Sequence, residues 1–325
     1  MIITRTPLRI SLGGGATDLP TYYREHGGGF LVAAAISRHI YVAVNDNFDH
    51  DLLLKYSSIE RVSEVASIEH PILREALTIM DIERGIEISS MADIPAGTGL
   101  GSSGAFTVGA LKGLHAYRRL TITNEDLAEM ACHIEIERLG EPVGKQDQYA
   151  AAIGGVTAFT FHPDDRVTFE PVPMTKAVLD RFEENLLLFY TGVRRSASEE
   201  ITEQMSELGT LPRAAENLDA VRQIGYDSRD AMAAGDLNGF AGLMNRQWEL
   251  KFQRSPSEMH QQVNGWIQRG RDAGAAGGKL VGAGGGGFLL FYADSKSDLR
   301  AEMAEIGLEE VRFAFDFEGS RIMVA

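Results

Sequence analysis

Apolar and polar positions follow a strand-like pattern through most of the first 60 residues. The stretches "IITRTPLRISL", "GFLVAAAI" and "HIYVAVN" are rich in Ile and Val, and parts of them alternate with period two. Successive side chains of a strand point to opposite faces, so this pattern predicts three β-strands. The short stretch "GIEISSM" predicts a further strand directly before a glycine-rich segment.

Helical spacing of apolar residues begins after that glycine-rich segment. "SSGAFTVGALKGLHAYRR" predicts one helix, and "TITNEDLAEMACHIEIERLG" predicts a second, amphipathic helix capped by Thr123 or Asn124. Three prolines between residues 163 and 181 suggest a domain boundary, which divides the chain into residues 1–180 and 181–325.

The second half begins with the apolar strand "NLLLFYTG", which is followed by helical stretches over residues 196–205 and 214–253. The tail predicts strand, loop, strand, helix and strand, the last of them at "VRFAFDFEG". Strands mixed with segregated helices indicate an α+β protein in two halves.

Composition limits the possible partners. The formal net charge of −15, without a large basic cluster, argues against a nucleic-acid partner. Cys132 is the only cysteine, so disulfides within the chain and cysteine-based metal sites are excluded. No run of apolar residues is long enough to span a membrane or to form a signal peptide, and we expect a cytoplasmic protein. The oligomeric state stays open.

The glycine-rich segment contains a G-x-G-x-x-G pattern at Gly99, Gly101 and Gly104. A dinucleotide fingerprint would need a strand ending in an acid about 20 residues later, but the acids at that distance lie in the predicted second helix. The lysine-containing stretches "LGEPVGKQ" and "DAGAAGGKL" lack the spacing and hydroxyl of a P-loop. The segment instead suits a phosphate cradle, because Ser102 and Ser103 open a helix whose free N–H groups favour anions.

The stretch "PAGTGLGSSGA" resembles the central motif of the GHMP kinases, the family named for galactokinase, homoserine kinase, mevalonate kinase and phosphomevalonate kinase. Three other stretches resemble its remaining motifs in the expected order: "PLRISLGGGATD", "ERLGEPVGKQDQYAAAIGG" and "KLVGAGGGG". The resemblance covers nearly the whole chain. It implies an N-terminal domain like the second domain of ribosomal protein S5, a ferredoxin-like C-terminal domain, and an active site in the cleft between them.

The resemblance also implies roles for four residues. Asp147 stands where the family's sugar kinases keep a carboxylate that accepts the proton of the attacking hydroxyl, and Arg9 aligns with an arginine beside it. Glu135 and Ser103 align with ligands of Mg²⁺. From the residues alone, Asp147 could be a helix N-cap and Arg9 a structural partner of any carboxylate. Glu137 and Ser102 are the alternatives for the two metal ligands.

Binding residues follow from the same motifs. The resemblance implies that ATP is held by Pro95, Gly97, Thr98, Gly99, Leu100, Gly101, Ser102, Ser103 and Gly104. It implies that the sugar lies against Gly14, Gly15, Asp18, Gly284, Gly285 and Gly286. Gly15 and Ala16 replace bulky polar residues of galactokinase, so a substrate larger than galactose is expected.

The three motifs around Asp18, Asp147 and Arg194 are most similar to those of the bacterial heptose 7-phosphate kinases of this family. A fucose-type or arabinose-type anomeric kinase, and an ATP-binding protein without turnover, are the alternatives. A phosphorylated sugar needs a second anion site. In "FYTGVRRSASEEI", Arg194 and Arg195 precede a predicted helix cap and are candidates for it, unless they are solvated or pair with the glutamates that follow.

Overall fold

The computed structural model describes residues 1–193, 212–254, 257–282 and 286–325. The predicted helix over residues 196–205 lies outside this part of the chain. No described helix is both long and apolar enough to cross a membrane.

The first of two sheets is built around a pair of long antiparallel strands, β1 (Ile2–Gly13) and β2 (Gly29–Asp46). A short helix, α1 (Pro20–Tyr23), connects them. Within the described residues the other strands of this sheet are β3 (Leu52–Lys55), β4 (Ile59–Val62), β5 (Ile86–Ala92), β6 (Val156–Phe161), β7 (Val167–Pro171) and β12 (Arg321–Val324).

The stretches "GFLVAAAI" and "HIYVAVN" form one continuous strand, β2, and not the two separate strands that the sequence predicts. The polar residues between them accompany a shift in register, at which Pro7 pairs with His39 but the next residue, Leu8, pairs with Ile36. A β-bulge of this kind lets a strand bend without ending. One half of β2 therefore pairs with β5 and the other half with β6.

Helices cover one face of this sheet: α2 (Pro71–Ile79), α3 (Ser102–Tyr117), α4 (Asn124–Cys132) and α5 (Gln146–Ile153). Thr123 caps α4, because its hydroxyl accepts a hydrogen bond from the N–H of Asp126. A π-helical turn, His133–Arg138, continues α4. Small residues bring α3 close to the strands. An added Cβ at Gly109 would lie 2.8 Å from Oγ1 of Thr6.

The second sheet has four antiparallel strands among the described residues, in the order β11 (Glu309–Glu310), β8 (Leu186–Tyr190), β10 (Phe288–Tyr292) and β9 (Gly277–Val281). The helices that the structure describes in this half are α6 (Lys176–Asn185), α7 (Pro212–Ala234), α8 (Leu237–Arg254), α9 (Glu258–Asp272) and α10 (Lys296–Glu305). Gly235 has a positive φ of 75° and separates α7 from α8, which the sequence predicts as one helical stretch.

The prediction of a regular strand over "VRFAFDFEG" is wrong, because this segment passes from one sheet to the other. The N–H of Val311 donates to the carbonyl of Leu188 in the second sheet. A few residues later, the N–H of Asp316 donates to the carbonyl of Ala35 in the first sheet. The last residues then form β12, which pairs with β1. The segment therefore pairs first with the second sheet and then with the first sheet, and its alternating apolar and polar residues do not belong to a single β-ladder.

Candidate active site

A cleft of about 750 Å³ lies between the helical face of the first sheet and the helices of the second half. One wall comes from the end of β1, the glycine-rich segment and the starts of α3 and α5. The other wall comes from α8 and β9 and contributes Gln247, Trp248, Lys251, Arg254, Lys279, Leu280 and Gly282. Residues distant in the sequence thus meet around one volume large enough for two small molecules.

The glycine-rich segment leads directly into the N-terminus of α3. Gly97, Gly99 and Gly101 have φ values of 75°, 78° and 77°, which side-chain-bearing residues rarely adopt. The turn places Gly101 before the first helical residue, so the free N–H groups of α3 lie at the cleft. Among the described residues, the buried Oγ of Ser102 has no hydrogen-bond partner, which leaves it available to a ligand. These features fit a phosphate cradle.

Three of the predicted nucleotide-binding residues do not line the cleft: Pro95, Thr98 and Leu100. They stabilise the glycine-rich segment from outside the cleft. The hydroxyl of Thr98 donates to the carbonyl of Pro95 across 3.0 Å, and the carbonyl of Leu100 accepts the N–H of Arg9 across 3.0 Å. Their contribution is to the shape of the turn.

Arg9 and Asp147 contact each other at the floor of the cleft. The Nε of Arg9 donates to Oδ1 of Asp147 across 2.8 Å, and its Nη2 lies 2.6 Å from the same oxygen. The Nη1 of Arg9 donates to the carbonyl of Gly99 across 2.6 Å. A single buried arginine therefore joins the carboxylate to the glycine-rich segment through charge-assisted hydrogen bonds.

Asp147 lies in the first turn of α5 and is not its N-cap, since Lys145 holds that position. Its approach to α3 requires glycine: an added Cβ at Gly104 would lie 2.7 Å from the Cβ of Asp147. The side chain of Asp147 is 31% exposed to the cleft, so a ligand hydroxyl can reach it.

Glu135 is buried in the π-helical turn and lines the cleft, whereas Glu137 is exposed and pairs with His133. The carboxylate of Glu135 accepts hydrogen bonds from the hydroxyl of Ser103 and, across 2.5 Å, from Nε2 of Gln148. Burial raises the pKa of Glu135 to about 7.

A divalent cation would offset the desolvation of this carboxylate, and Mg²⁺ needs only one or two protein oxygens beside phosphate oxygens and water. The described residues contain no group of three His, Cys, Asp or Glu that could hold a metal ion. Glu135 and Ser103 are adjacent and therefore fit a two-ligand site of this kind.

The sugar side of the cleft is lined by Gly15 and Asp18. Asp18 is buried and accepts the N–H of Gln146 across 3.0 Å, and burial raises its pKa to about 6. Gly14 does not line the cleft. It makes the turn after β1, with a φ of 82° and no room for a Cβ against the carbonyl of Phe30.

The C-terminal glycine motif is only partly described. Gly284 and Gly285 lie outside the described residues, as do Arg194 and Arg195. Gly286 is described but does not line the cleft; it lies against Val193, and its φ is 125°.

Sequence reasoning placed the motif "KLVGAGGGG" at the cleft but assigned no role to the cations of the second wall. Lys279 is 3% exposed, lies in an otherwise apolar strand and lines the cleft. A lysine inside "GGKLV" is itself a signal, because lysines are almost never fully buried unless they are paired. Lys251 and Arg254 gave no such signal, since charged residues are common on helix surfaces.

Two family models match the chain. The model of the GHMP kinases N terminal domain matches residues 60–155, and that of the GHMP kinases C terminal matches residues 228–307. Together the matches span more than half of the chain.

Curated relatives match over most of their length. The chain is 28% identical over 308 residues to the D-glycero-alpha-D-manno-heptose 7-phosphate kinase of Campylobacter jejuni, covering 90% of the chain and 89% of that protein. It is 26% identical over 339 residues to the galactokinase of Pyrococcus furiosus, covering 90% of the chain and 89% of that protein.

Solved structures share the fold. The D-glycero-D-manno-heptose 1-phosphate kinase from Bacteroides thetaiotaomicron superposes with a TM-score of 0.81 at 22% identity, covering 100% of this chain and 99% of that one.

Proposed function

This chain belongs to the GHMP kinase family, and from that premise we propose that it phosphorylates the anomeric C1 hydroxyl of D-glycero-D-manno-heptose 7-phosphate. ATP is the phosphoryl donor, and the product is the 1,7-bisphosphate. Such a product would serve the synthesis of nucleotide-activated heptose for capsule or lipopolysaccharide, in the cytoplasm.

The contact between Arg9 and Asp147 is the observation that carries this proposal. A carboxylate that is held by an arginine, faces a cleft and lies beside a phosphate cradle can take the proton of an attacking hydroxyl. Anomeric hydroxyls are more acidic than ordinary alcohols, so one carboxylate is an adequate base.

Arg9 has a second task in this proposal. Its guanidinium spans Asp147 and the carbonyl of Gly99, so it lies between the base and the segment that would hold the triphosphate. A fixed cation there stabilises the charge that moves between donor and acceptor oxygens.

The nucleotide phosphates would bind at the N-terminus of α3, to Gly97, Gly99, Gly101, Ser102, Ser103 and Gly104. Glu135 and Ser103 would hold Mg²⁺, which neutralises phosphate charge when bound. Their mutual contact fixes both oxygens before any ligand arrives.

Asp18 would accept hydrogen bonds from sugar hydroxyls beside Gly15. The small residues Gly15 and Ala16 leave room for a seven-carbon sugar.

We also propose that the first part of the chain is an S5-like domain and the second part a ferredoxin-like domain, with the boundary near residue 180. Strand β12 of the second part then joins the first sheet. The strand order of the second sheet supports the ferredoxin-like assignment.

Relatives differ in their sugar and in the position of its phosphate, so a galactose-type, fucose-type or arabinose-type substrate is the alternative. An ADP-release assay over free and phosphorylated hexoses and heptoses tests the proposal. Turnover of the 7-phosphate with the highest kcat/KM supports it, and NMR of the product locates the new phosphate. Highest turnover with an unphosphorylated sugar contradicts the heptose assignment, and no ADP release with any sugar contradicts catalysis.

A further inference from the structure

The two walls of the cleft differ in charge. All four carboxylates that line the cleft in the described part of the chain come from the wall of the first sheet and its helices: Asp18, Glu135, Glu141 and Asp147. The wall formed by α8 and β9 contributes Lys251, Arg254 and Lys279 and, within the described chain, no carboxylate. This concentration of positive charge is notable in a protein of net charge −15.

Helical spacing presents two of these cations to the cleft together. Gln247, Lys251 and Arg254 are separated by four and three residues, so they share one face of α8. Lys251 donates from Nζ to the carbonyl of Gly282, which fixes it against the loop that follows β9. Arg246 of the same helix is exposed and does not line the cleft.

Lys279 completes the wall from β9. Its Nζ donates to the carbonyl of Leu12 across 2.8 Å and to Oε1 of Gln247 across 2.9 Å. An ammonium group has three N–H donors, so one is left for a ligand. No described carboxylate forms an ion pair with Lys279. Burial, together with the nearby cations Lys251 and Arg9, lowers the pKa of Lys279 to about 7, and an anion would offset both effects.

Arg254 lies toward the sugar end of the cleft. Its Nη1 donates to Oδ1 of Asn217 across 3.0 Å. The next residue, Leu218, packs against Leu19 and Tyr22 in a small apolar cluster that Ala16 joins. Ala16 and Leu19 also line the cleft, so Arg254 is anchored beside the space that Gly15 and Ala16 leave open.

We propose that Lys251, Arg254 and Lys279 form a phosphate-binding subsite for the phosphate that the sugar substrate already carries. The inference rests on the proposed function, because only a phosphorylated acceptor needs such a site. The proposed cradle for the triphosphate lies at the N-terminus of α3, on the wall of the first sheet. A phosphate dianion on the second wall would be met by an arginine fork and two ammonium groups.

The test compares Lys251→Gln and Arg254→Gln with Arg246→Gln, which removes a charge from α8 outside the cleft. KM is measured for the sugar 7-phosphate, for the same sugar without phosphate, and for ATP. We expect the loss of kcat/KM in each cleft variant to be about tenfold larger, or more, for the phosphorylated sugar than for the unphosphorylated one. Arg246→Gln should match the parent with both sugars.

A binding measurement separates this inference from the proposed function. Inorganic phosphate is titrated by calorimetry into parent and variants with Mg²⁺ and a non-hydrolysable ATP analogue bound, so that the nucleotide cradle is filled. Phosphate binding that Arg254→Gln abolishes and Arg246→Gln keeps supports the subsite, even if the parent turns over no phosphorylated sugar and the proposed substrate fails. Turnover of the 7-phosphate with equal losses for both sugars, or no phosphate binding by the parent, overturns the subsite.

Discussion

The Nε of Arg9 donates to Oδ1 of Asp147 across 2.8 Å, and the same guanidinium reaches the carbonyl of Gly99 through Nη1. Arg9 lies on β1, Asp147 on α5 and Gly99 in the glycine-rich segment. One side chain thus ties the proposed base to the proposed phosphate cradle, so the fold fixes the spacing between Asp147 and the glycine-rich segment.

Asp147→Asn should lower kcat at least about a hundredfold, because the amide keeps the shape of the side chain but cannot accept the proton. KM for ATP should change little, since Asp147 is not part of the glycine-rich segment. Steady-state ADP release measures both quantities. Asp164→Asn, an exposed carboxylate outside the cleft, is the matched control and should behave as the parent. Near-normal turnover in Asp147→Asn would contradict its assignment as the base.

Glu135→Gln and Ser103→Ala should each raise the Mg²⁺ concentration needed for half-maximal activity by about fivefold or more, because each removes one proposed oxygen ligand. The measurement is a Mg²⁺ titration of activity at saturating ATP. Glu137→Gln removes a charge two residues away on the exposed side and should leave the titration unchanged. If all three variants titrate alike, the metal ligands lie elsewhere.

Asp18→Asn should raise KM for the sugar and also change the pH dependence of stability. Burial raises the pKa of Asp18 to about 6 from an ordinary value of 3.8, so between those values the native protein binds a proton that the unfolded chain releases. The parent therefore gains stability relative to Asp18→Asn as pH falls through 6, by about 1 kcal/mol between pH 7 and pH 5. Urea unfolding at the two pH values measures this difference, and a constant difference would refute a raised native pKa.

Gly287→Ala should raise KM for ATP by about tenfold, because the methyl group would lie 2.0 Å from the carbonyl oxygen of Thr98 and push the glycine-rich segment out of position. Gly274 has a similar φ, 97° against 100°, but open space around its missing Cβ. Gly274→Ala therefore introduces the same backbone strain without the contact and is the control. Equal effects on KM for ATP in the two variants would show that strain, and not the contact, matters.

Local patterns in the sequence determined most of the secondary structure and one wall of the cleft. The small residues and hydroxyls of "PAGTGLGSSGA" predicted a turn into a helix N-terminus, and the structure has α3 beginning at Ser102. Thr123 was one of two predicted caps, and its hydroxyl makes the capping hydrogen bond. Such features depend on neighbours within a few residues, so a single sequence contains them.

The tertiary structure decided which of several equivalent residues face the cleft. Glu135 and Glu137 are indistinguishable by spacing, yet the packing of the π-helical turn buries the first and exposes the second. Lys251 and Lys279 come from different elements and meet only because α8 packs on β9. Contacts between residues far apart in the chain produce no periodic pattern in the sequence. The positively charged wall formed by α8 and β9 could therefore be identified only from the folded structure.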